Sequence, residues 1–204
     1  HTEYLASKAE VDEVLMLLCC DGMRIGVVTG HIALKDVVSQ LNSDRIVTKL
    51  QIMNDSLTRD FDLHSPRIAV LGLNPHAGDN GMLGDEELRI IAPAIRTAQN
   101  EGLNVHGPIA ADGFFGSGAF KNYDGVLAMY HDQGLAPFKA LSFGRGVNFT
   151  AGLSIIRTSP DHGTGFDIAG QGVANGASFR EALHLACEIR QHRVKQSHQT
   201  SKPI

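Results

Sequence analysis

The chain has 204 residues, 43% of them hydrophobic, and a formal net charge of -4 at pH 7. This length and composition suit a globular protein with a sizeable core, in one large or two small domains. The basic residues are scattered and form no basic stripe, which argues against nucleic acid as a partner. No apolar run is long enough to span a membrane, so we expect no membrane partner either.

The three cysteines, Cys19, Cys20 and Cys187, contain no C-x-x-C spacing. Neither a zinc knuckle nor a disulfide framework is therefore indicated, and the reducing cytoplasm is the predicted location. The chain begins with His1 rather than methionine, and its first residues read like the interior of a protein. We therefore expect a fragment of a longer chain.

The first half of the chain alternates between predicted strands and helices. The apolar runs at 24–30 and 67–73 read as buried strands. A helix is predicted between them, because apolar residues recur there every three to four positions. Those residues are Ile46, Leu50, Met53, Leu57 and Phe61. A second helix is predicted from about residue 85 to residue 100, after an acidic start that complements the helix dipole.

The second half continues the alternation. Strands are predicted at 126–130 and 154–158, and a long helix at 178–193. Ser178 and Glu181 stand at the spacing of a capping box, which predicts that this helix begins at Ser178. Strands that alternate with helices indicate an α/β fold.

Three histidines follow predicted strands directly: His31, His76 and His131. Ligands bind at the carboxyl edge of open α/β sheets, so three imidazoles could meet there. Neutral imidazole suits zinc, cobalt, nickel or iron, and three protein ligands with open positions describe a catalytic metal site. Asp112 and Asp132 add carboxylates that could orient ligands or move protons. The alternative is that each histidine is a surface or hydrogen-bonded residue without a ligand role.

Lys139, Asn148 and Arg157 form a second candidate group. Two cations and an amide suit a phosphate or a carboxylate, although a single lysine is more often a solvated surface charge. The glycine-rich stretch 161–172 could bring backbone amides close to a phosphate or an adenine ring, but such a stretch is more often just a turn. No G-x-G-x-x-G sequence opens a helix, so a Rossmann site is not predicted.

Four long motifs identify a family. "GLNPHAGDNG", "AMYHDQGLAPFK", "FGRGVNFTAGL" and "IRTSPDHGTGFDIAGQG" resemble the 4-hydroxythreonine-4-phosphate dehydrogenase family of vitamin B6 biosynthesis, over residues 1 to about 185. The opening "HTEYLA" resembles a segment from inside the family's chain, which implies that the N-terminal part is missing here. The resemblance implies an α/β, three-layer fold like that of isocitrate and isopropylmalate dehydrogenases, present as a C-terminal fragment.

The resemblance also implies roles for individual residues. The metal ligands would be His31, His76 and His131, with His131 reaching the site of the partner subunit in a homodimer. The metal would be zinc, magnesium or cobalt. The proton-transfer candidates are Lys139, Asp112 and Asp132. The substrate-binding positions are His1, Thr2, Lys139, Asn148 and Arg157. The positions that match the NAD-binding loop of the related dehydrogenases are His162, Gly163, Thr164 and Asp167.

We assign the region 1–128 to metal binding and dimerisation, and the region 129–204 to substrate and cofactor binding. The implied reaction is metal-dependent oxidation of a small phosphorylated substrate by NAD or NADP, followed by loss of CO₂. Gly113, Ala140 and Phe166 depart from the family's usual residues, which leaves threonate or erythronate 4-phosphate as alternative substrates. Two further hypotheses are a binding module without activity and a metal hydrolase.

Overall fold

The computed structural model describes Lys8 and residues 11–163 and 165–200, without the side chains of the last two. These residues form one mixed sheet of seven strands in the order β4-β3-β5-β2-β1-β6-β7. Strands β4, β3, β5 and β2 are parallel, while β1, β6 and β7 pair in antiparallel fashion. The strands are β1 (Leu15–Cys20), β2 (Met23–Val27), β3 (Ile68–Leu71), β4 (Val105–Ile109), β5 (Gly125–Ala128), β6 (Val147–Ala151) and β7 (Thr158–Pro160).

Helices connect these strands and cover both faces of the sheet. They are α1 (Val37–Gln40), α2 (Ser43–Arg59), α3 (Ala92–Asn100), α4 (Ala111–Gly116), α5 (His131–Ser142) and α6 (Ala177–Thr200). Short 3₁₀ turns lie at Leu34–Asp36, Pro75–Gly78, Ala119–Asn122 and Phe166–Ile168, and a π-helical turn lies at Glu87–Ile91. None of the helices in the described part of the chain has the length and apolar character needed to cross a membrane.

Two hydrophobic clusters lie on opposite faces of the sheet, because successive strand residues point to opposite sides. Leu17 of β1 belongs to the cluster beneath α2, α3 and α6. Its neighbour Leu18 belongs to the cluster beneath α4 and α5. The result is a layer of helices, a sheet and a second layer of helices, which confirms the predicted three-layer α/β fold. Strands from the regions 1–128 and 129–204 share this one sheet.

The strand predicted at 154–158 is wrong. Residues 154–157 form the loop between β6 and β7, and β7 begins only at Thr158. Gly152, with a φ of +93°, turns the chain at the end of β6. Ile155 of the apolar run is 49% exposed, so its hydrophobicity did not signal a buried strand.

The last helix begins one residue before the predicted start. The Asn175 side chain accepts a hydrogen bond from the backbone N–H of Ala177 (2.9 Å), and the Arg180 N–H donates to the Gly176 carbonyl. Ser178 therefore lies inside α6, and the predicted capping box is wrong. The helix also continues past residue 193, to Thr200.

Candidate functional site

The three candidate metal ligands lie at one edge of the sheet. His31 follows β2, His131 follows β5 and His76 follows β3, and β5 is hydrogen-bonded to both of the other strands. The loop after β2 is tied to the loop after β5, because the backbone N–H and the hydroxyl of Thr29 both donate to the Met129 carbonyl. These bonds bring the rings of His31 and His131 to a centroid distance of 5.6 Å.

Two cavities of about 520 Å³ adjoin these loops. His31 and His131 line one of them, and His76 and Asp112 line the other. Tyr130 contributes to the walls of both cavities. The structure therefore brings two of the three histidines together and puts the third in the adjoining cavity, next to a carboxylate.

No three-ligand metal site is assembled among the described residues of a single chain. Among residues 11–163 and 165–200, no three side chains of His, Cys, Asp or Glu converge in an arrangement that could hold a metal ion. The His31 and His131 imidazoles are suitable nitrogen ligands and lie close together, so the donor chemistry fits a divalent ion in part. A complete site needs a further ligand brought to this pair.

Asp132 orients the His131 ring. His131 Nδ1 lies 2.7 Å from Asp132 Oδ1, so the outer nitrogen of the ring is left for a ligand. The Asp132 side chain is 84% exposed, in the first turn of α5. Asp112 occupies the equivalent place in the first turn of α4. Asp132 thus contacts a predicted histidine, while Asp112 lines the same cavity as His76, and both carboxylates stand at a helix N-terminus.

The second candidate group lies on the α5 face of the sheet. Asn148 and Thr150 alternate along β6 with the buried Phe149, which packs in the opposite cluster. Arg157 donates from Nη1 to Thr150 Oγ1 (3.1 Å), so its guanidinium reaches the same face as Asn148. Lys139 extends from α5 on that face. The Asn148 Oδ1 atom is buried and has no hydrogen-bond partner among the described residues, which leaves an acceptor available there.

Asp161 is a site residue that the sequence analysis did not single out, although it opens the glycine-rich stretch 161–172. Its Oδ1 atom lies 3.9 Å from Lys139 Nζ, and both side chains line a cavity of about 160 Å³ together with His162. Burial raises the pKa of the Asp161 carboxyl, and the charge of Lys139 opposes that rise. The carboxyl group of Asp161 is thus the acidic neighbour of Lys139.

The glycine-rich loop borders the largest of these cavities. His162, Gly163 and Asp167 line a space of about 740 Å³, which shares His162, Gly144 and Ser178 with the cavity of Lys139 and Asp161. The candidate cofactor loop therefore adjoins the candidate phosphate group. Three further candidates lie outside the described residues: His1, Thr2 and Thr164.

The buried Glu87 and the half-buried Gln133 hold these loops, and the sequence analysis missed both roles. Glu87 accepts hydrogen bonds from the backbone before His76. Gln133 accepts from the Met129 N–H (2.7 Å) and donates to the Gly72 carbonyl (2.6 Å), which joins the loop of His131 to the end of β3. Gln133 stands two residues after His131 within "AMYHDQGLAPFK", and that position was the available signal.

A three-layer α/β sheet with imidazoles on the segments that follow the carboxyl ends of its strands belongs to the class of α/β proteins that bind ligands at that edge. Within this class, the family model of pyridoxal phosphate biosynthetic protein PdxA matches residues 1–186. The chain belongs to this family. All the site residues discussed above lie within the matched range.

Two curated relatives are both called 4-hydroxythreonine-4-phosphate dehydrogenase. The protein of Bacteroides thetaiotaomicron is 47% identical over 205 residues, which cover 100% of this chain and 56% of the relative. The protein of Prosthecochloris aestuarii is 50% identical, over 95% of this chain and 58% of the relative. The crystal structure of the enzyme of that name from Klebsiella pneumoniae matches with a TM-score of 0.85 and 45% identity, over 94% of this chain and 57% of that one. The chain thus spans a little over half the length of these proteins.

Proposed function

We propose that the chain is part of an NAD- or NADP-dependent dehydrogenase that oxidises 4-phosphohydroxy-L-threonine in vitamin B6 biosynthesis. The observation that carries the proposal is that one family match covers the paired imidazoles, the basic group and the glycine-rich loop together. The product of oxidation is a β-keto acid, which loses CO₂. We place this activity in the cytoplasm.

Different residues of the chain would position the substrate and accept its proton. The substrate hydroxyl would lie beside His31 and His131. The hydrogen on the carbon that bears this hydroxyl would pass as a hydride to the nicotinamide. Asp112, Asp132 or Lys139 would accept the hydroxyl proton, since each has a titratable group near these cavities. Zinc, magnesium or cobalt bound there would lower the pKa of the substrate hydroxyl and polarise the carbonyl that oxidation forms from it.

The phosphate would bind at the basic group. Arg157 offers a planar fork and Lys139 a mobile charge, and the two reach one face of the sheet. The half-buried Asn148, whose Oδ1 atom is buried, adds a polar side chain on the same face. The adjoining cavity with His162, Gly163 and Asp167 would take the adenosine part of the nucleotide. The resemblance assigns Thr164 to the same role.

The complete site would require a homodimer with a shared active site. One chain supplies two adjacent imidazoles but no three-ligand cluster among its described residues. A histidine from a second copy would supply the missing ligand. The resemblance assigns the crossing ligand to His131; the His131 ring lies beside His31 of its own chain while His76 lies in the adjoining cavity, so a crossing His76 is the alternative arrangement. His1 and Thr2 would contact the substrate.

A second substrate class is favoured by one observation. Gly113 stands where the family usually has threonine, and a Cβ built at Gly113 would meet no atom within 4 Å. The space beside Asp112 is therefore open and suits a differently substituted four-carbon acid, such as threonate or erythronate 4-phosphate. Ala140 and Phe166 are further departures near the candidate groups.

The test is a substrate screen on the protein as its gene encodes it. Threonate, erythronate and 4-hydroxythreonine 4-phosphates are each incubated with NAD and NADP, and formation of reduced nicotinamide is followed. We expect 4-phosphohydroxy-L-threonine to give the highest kcat/KM. Preference for another acid would assign the second substrate class, and no reduction with any acid would contradict the proposed activity.

A further inference from the structure

The loop of residues 72–84, here called the His76 loop, has an unfavourable backbone conformation. His76 and Ala77 both have φ values of +52°, followed by Asp79 at +43° and Asn80 at +54°. Residues with a Cβ adopt this left-handed region at a cost, and they do so mainly where surrounding contacts enforce it. A structural element outside these four residues must therefore hold the loop.

The buried carboxylate of Glu87 is such an element. The side chain is 2% exposed, and its Oε1 atom accepts hydrogen bonds from the backbone N–H groups of Leu73 and Asn74, each at 2.7 Å. Its Oε2 atom accepts from Asn74 Nδ2 at 2.9 Å. Hydrogen bonds to an ionised acceptor are about twice as strong as neutral ones, so this carboxylate fixes the residues that lead into His76.

The loop is packed directly onto this carboxylate. A Cβ at Gly78 would lie 2.7 Å from Glu87 Oε2, and a Cβ at Gly72 would lie 3.1 Å from Oε1. The contact at Gly78 is closer than a real Cβ shows, and the contact at Gly72 is tighter than most, so glycine at these positions allows the backbone to close around Glu87. The loop therefore encloses the carboxylate from two sides.

A π-helical turn presents Glu87 to the loop. The turn covers Glu87–Ile91, and the Ala92 N–H donates to the Glu87 carbonyl five residues earlier. Pro93 follows and has no N–H to donate to Arg89, which removes the ordinary α-helical bond at this point. Single π-helical turns inside helices occur frequently at functional sites.

We propose that Glu87 is the positioning residue that folds the His76 loop and thereby sets the place of the His76 side chain at the candidate site. The inference rests on the proposed function in one respect: it is the proposed function that gives His76 a role in substrate or metal binding. Glu87 itself contacts no reacting group. It acts through the backbone of Leu73 and Asn74.

The test is amide hydrogen exchange, read by mass spectrometry at residue resolution, in the protein as its gene encodes it. In Glu87→Ala, exchange at Leu73 and Asn74 should accelerate by about tenfold or more, because two charge-assisted bonds are lost. Glu87→Gln keeps one oxygen for these donors and should give an intermediate rate. Glu86→Gln is the matched control, because Glu86 accepts a hydrogen bond from the Asn74 side chain (2.7 Å) and, within the part of the chain that the structure describes, none from the Leu73 or Asn74 backbone, so both rates should stay unchanged.

The kinetic constants supply the second readout. Misplacement of a site residue should lower kcat/KM in Glu87→Ala by about 100-fold, with partial recovery in Glu87→Gln. Unchanged exchange at Leu73 and Asn74, or an equal effect of Glu86→Gln, would overturn the proposal. If Glu87→Ala does not fold, Glu87→Gln decides, since exchange at the wild-type rate would contradict the role of the carboxylate. Exchange requires no substrate, so a wild type that oxidises nothing would refute the proposed function while leaving this result interpretable.

Discussion

The hypothesis that this edge of the sheet binds a divalent metal ion depends most on His31 and His131. Their rings are adjacent, and His131 is oriented by Asp132 at 2.7 Å. A ring fixed at one nitrogen presents the other to a ligand without further loss of side-chain freedom. His76 lies in the next cavity, on a loop whose backbone is constrained.

Three single variants test the metal site: His31→Ala, His76→Ala and His131→Ala. Each should lower the affinity for a divalent ion by about 100-fold, because one of few protein ligands is lost. Elemental analysis after dialysis of the purified protein measures this. His106→Ala is the control, since His106 lies on β4 and bonds Asn104 instead. Full metal content in all three variants would show that these histidines are not ligands.

Arg157 should hold the substrate phosphate. Arg157→Lys removes the planar fork and should cost about 2 kcal/mol in transition-state binding of the phosphorylated substrate. The dephosphorylated substrate should react poorly with both proteins and show little further loss, because the contact is already absent. Values of kcat/KM for two substrates on two proteins complete the cycle. Equal losses on both substrates would show that Arg157 binds a group other than phosphate.

At the scale of elements, hydrophobic spacing predicted the helices better than the strands. The stripe from Ile46 to Leu57 is buried in α2 as expected. By contrast, β4 has the sequence "VHGPI", whose glycine and proline disfavour strands, and pairing with β3 decides its conformation. Local sequence carries no direct information on such long-range pairing. The same limit explains why the apolar run 154–158 was assigned to a strand that it does not form.

The attachment of α6 to the rest of the molecule depends on Asp60. Arg193 Nε donates to Asp60 Oδ1 (2.7 Å), and Ser56 Oγ donates to Oδ2 (2.7 Å). Burial alone would raise the pKa of Asp60, but hydrogen bonds from Arg59, Arg193 and Ser56 hold it below 3.8. The ionised carboxylate therefore stabilises the folded state above pH 3.8, and this contribution is lost as pH falls through the lower folded-state pKa.

Asp60→Asn should destabilise the fold by about 3 kcal/mol at neutral pH, because the Arg193 charge loses its buried partner. Urea denaturation measures the free energy of unfolding. The difference from the wild type should shrink under acid conditions, where the wild-type carboxylate is protonated as well. Asp55→Asn on the exposed side of α2 is the control and should have little effect. An undiminished difference in acid would show that the charge of Asp60 is not the stabilising factor.

At the scale of the whole molecule, the sequence predicted the edge of the sheet that carries the site but not its detailed arrangement. Three histidines after three strands were sufficient to predict a common edge. The order β3-β5-β2, which puts His31 beside His131, arises from pairing between distant segments. The supporting contacts of Glu87 and Gln133 are equally non-local, so residue spacing could not predict them.

A shared active site predicts complementation between two inactive variants. His31→Ala and His131→Ala carry defects in different ligands, and a mixed dimer can contain one intact site if His131 crosses the subunit boundary. Subunit exchange between the two variants should therefore restore a fraction of the wild-type activity. Each variant exchanged with itself is the control. Proven exchange without recovery would show that His31 and His131 of each site come from one chain.

The proposed activity is oxidation of a phosphorylated hydroxy amino acid, followed by release of CO₂. The most direct measurement follows reduced nicotinamide and CO₂ together, from 4-phosphohydroxy-L-threonine, with the protein as its gene encodes it. We predict that the two products appear in equal amounts and that both cease after removal of divalent metal. Release of inorganic phosphate without reduction of the nicotinamide would contradict the account and would indicate a metal hydrolase instead.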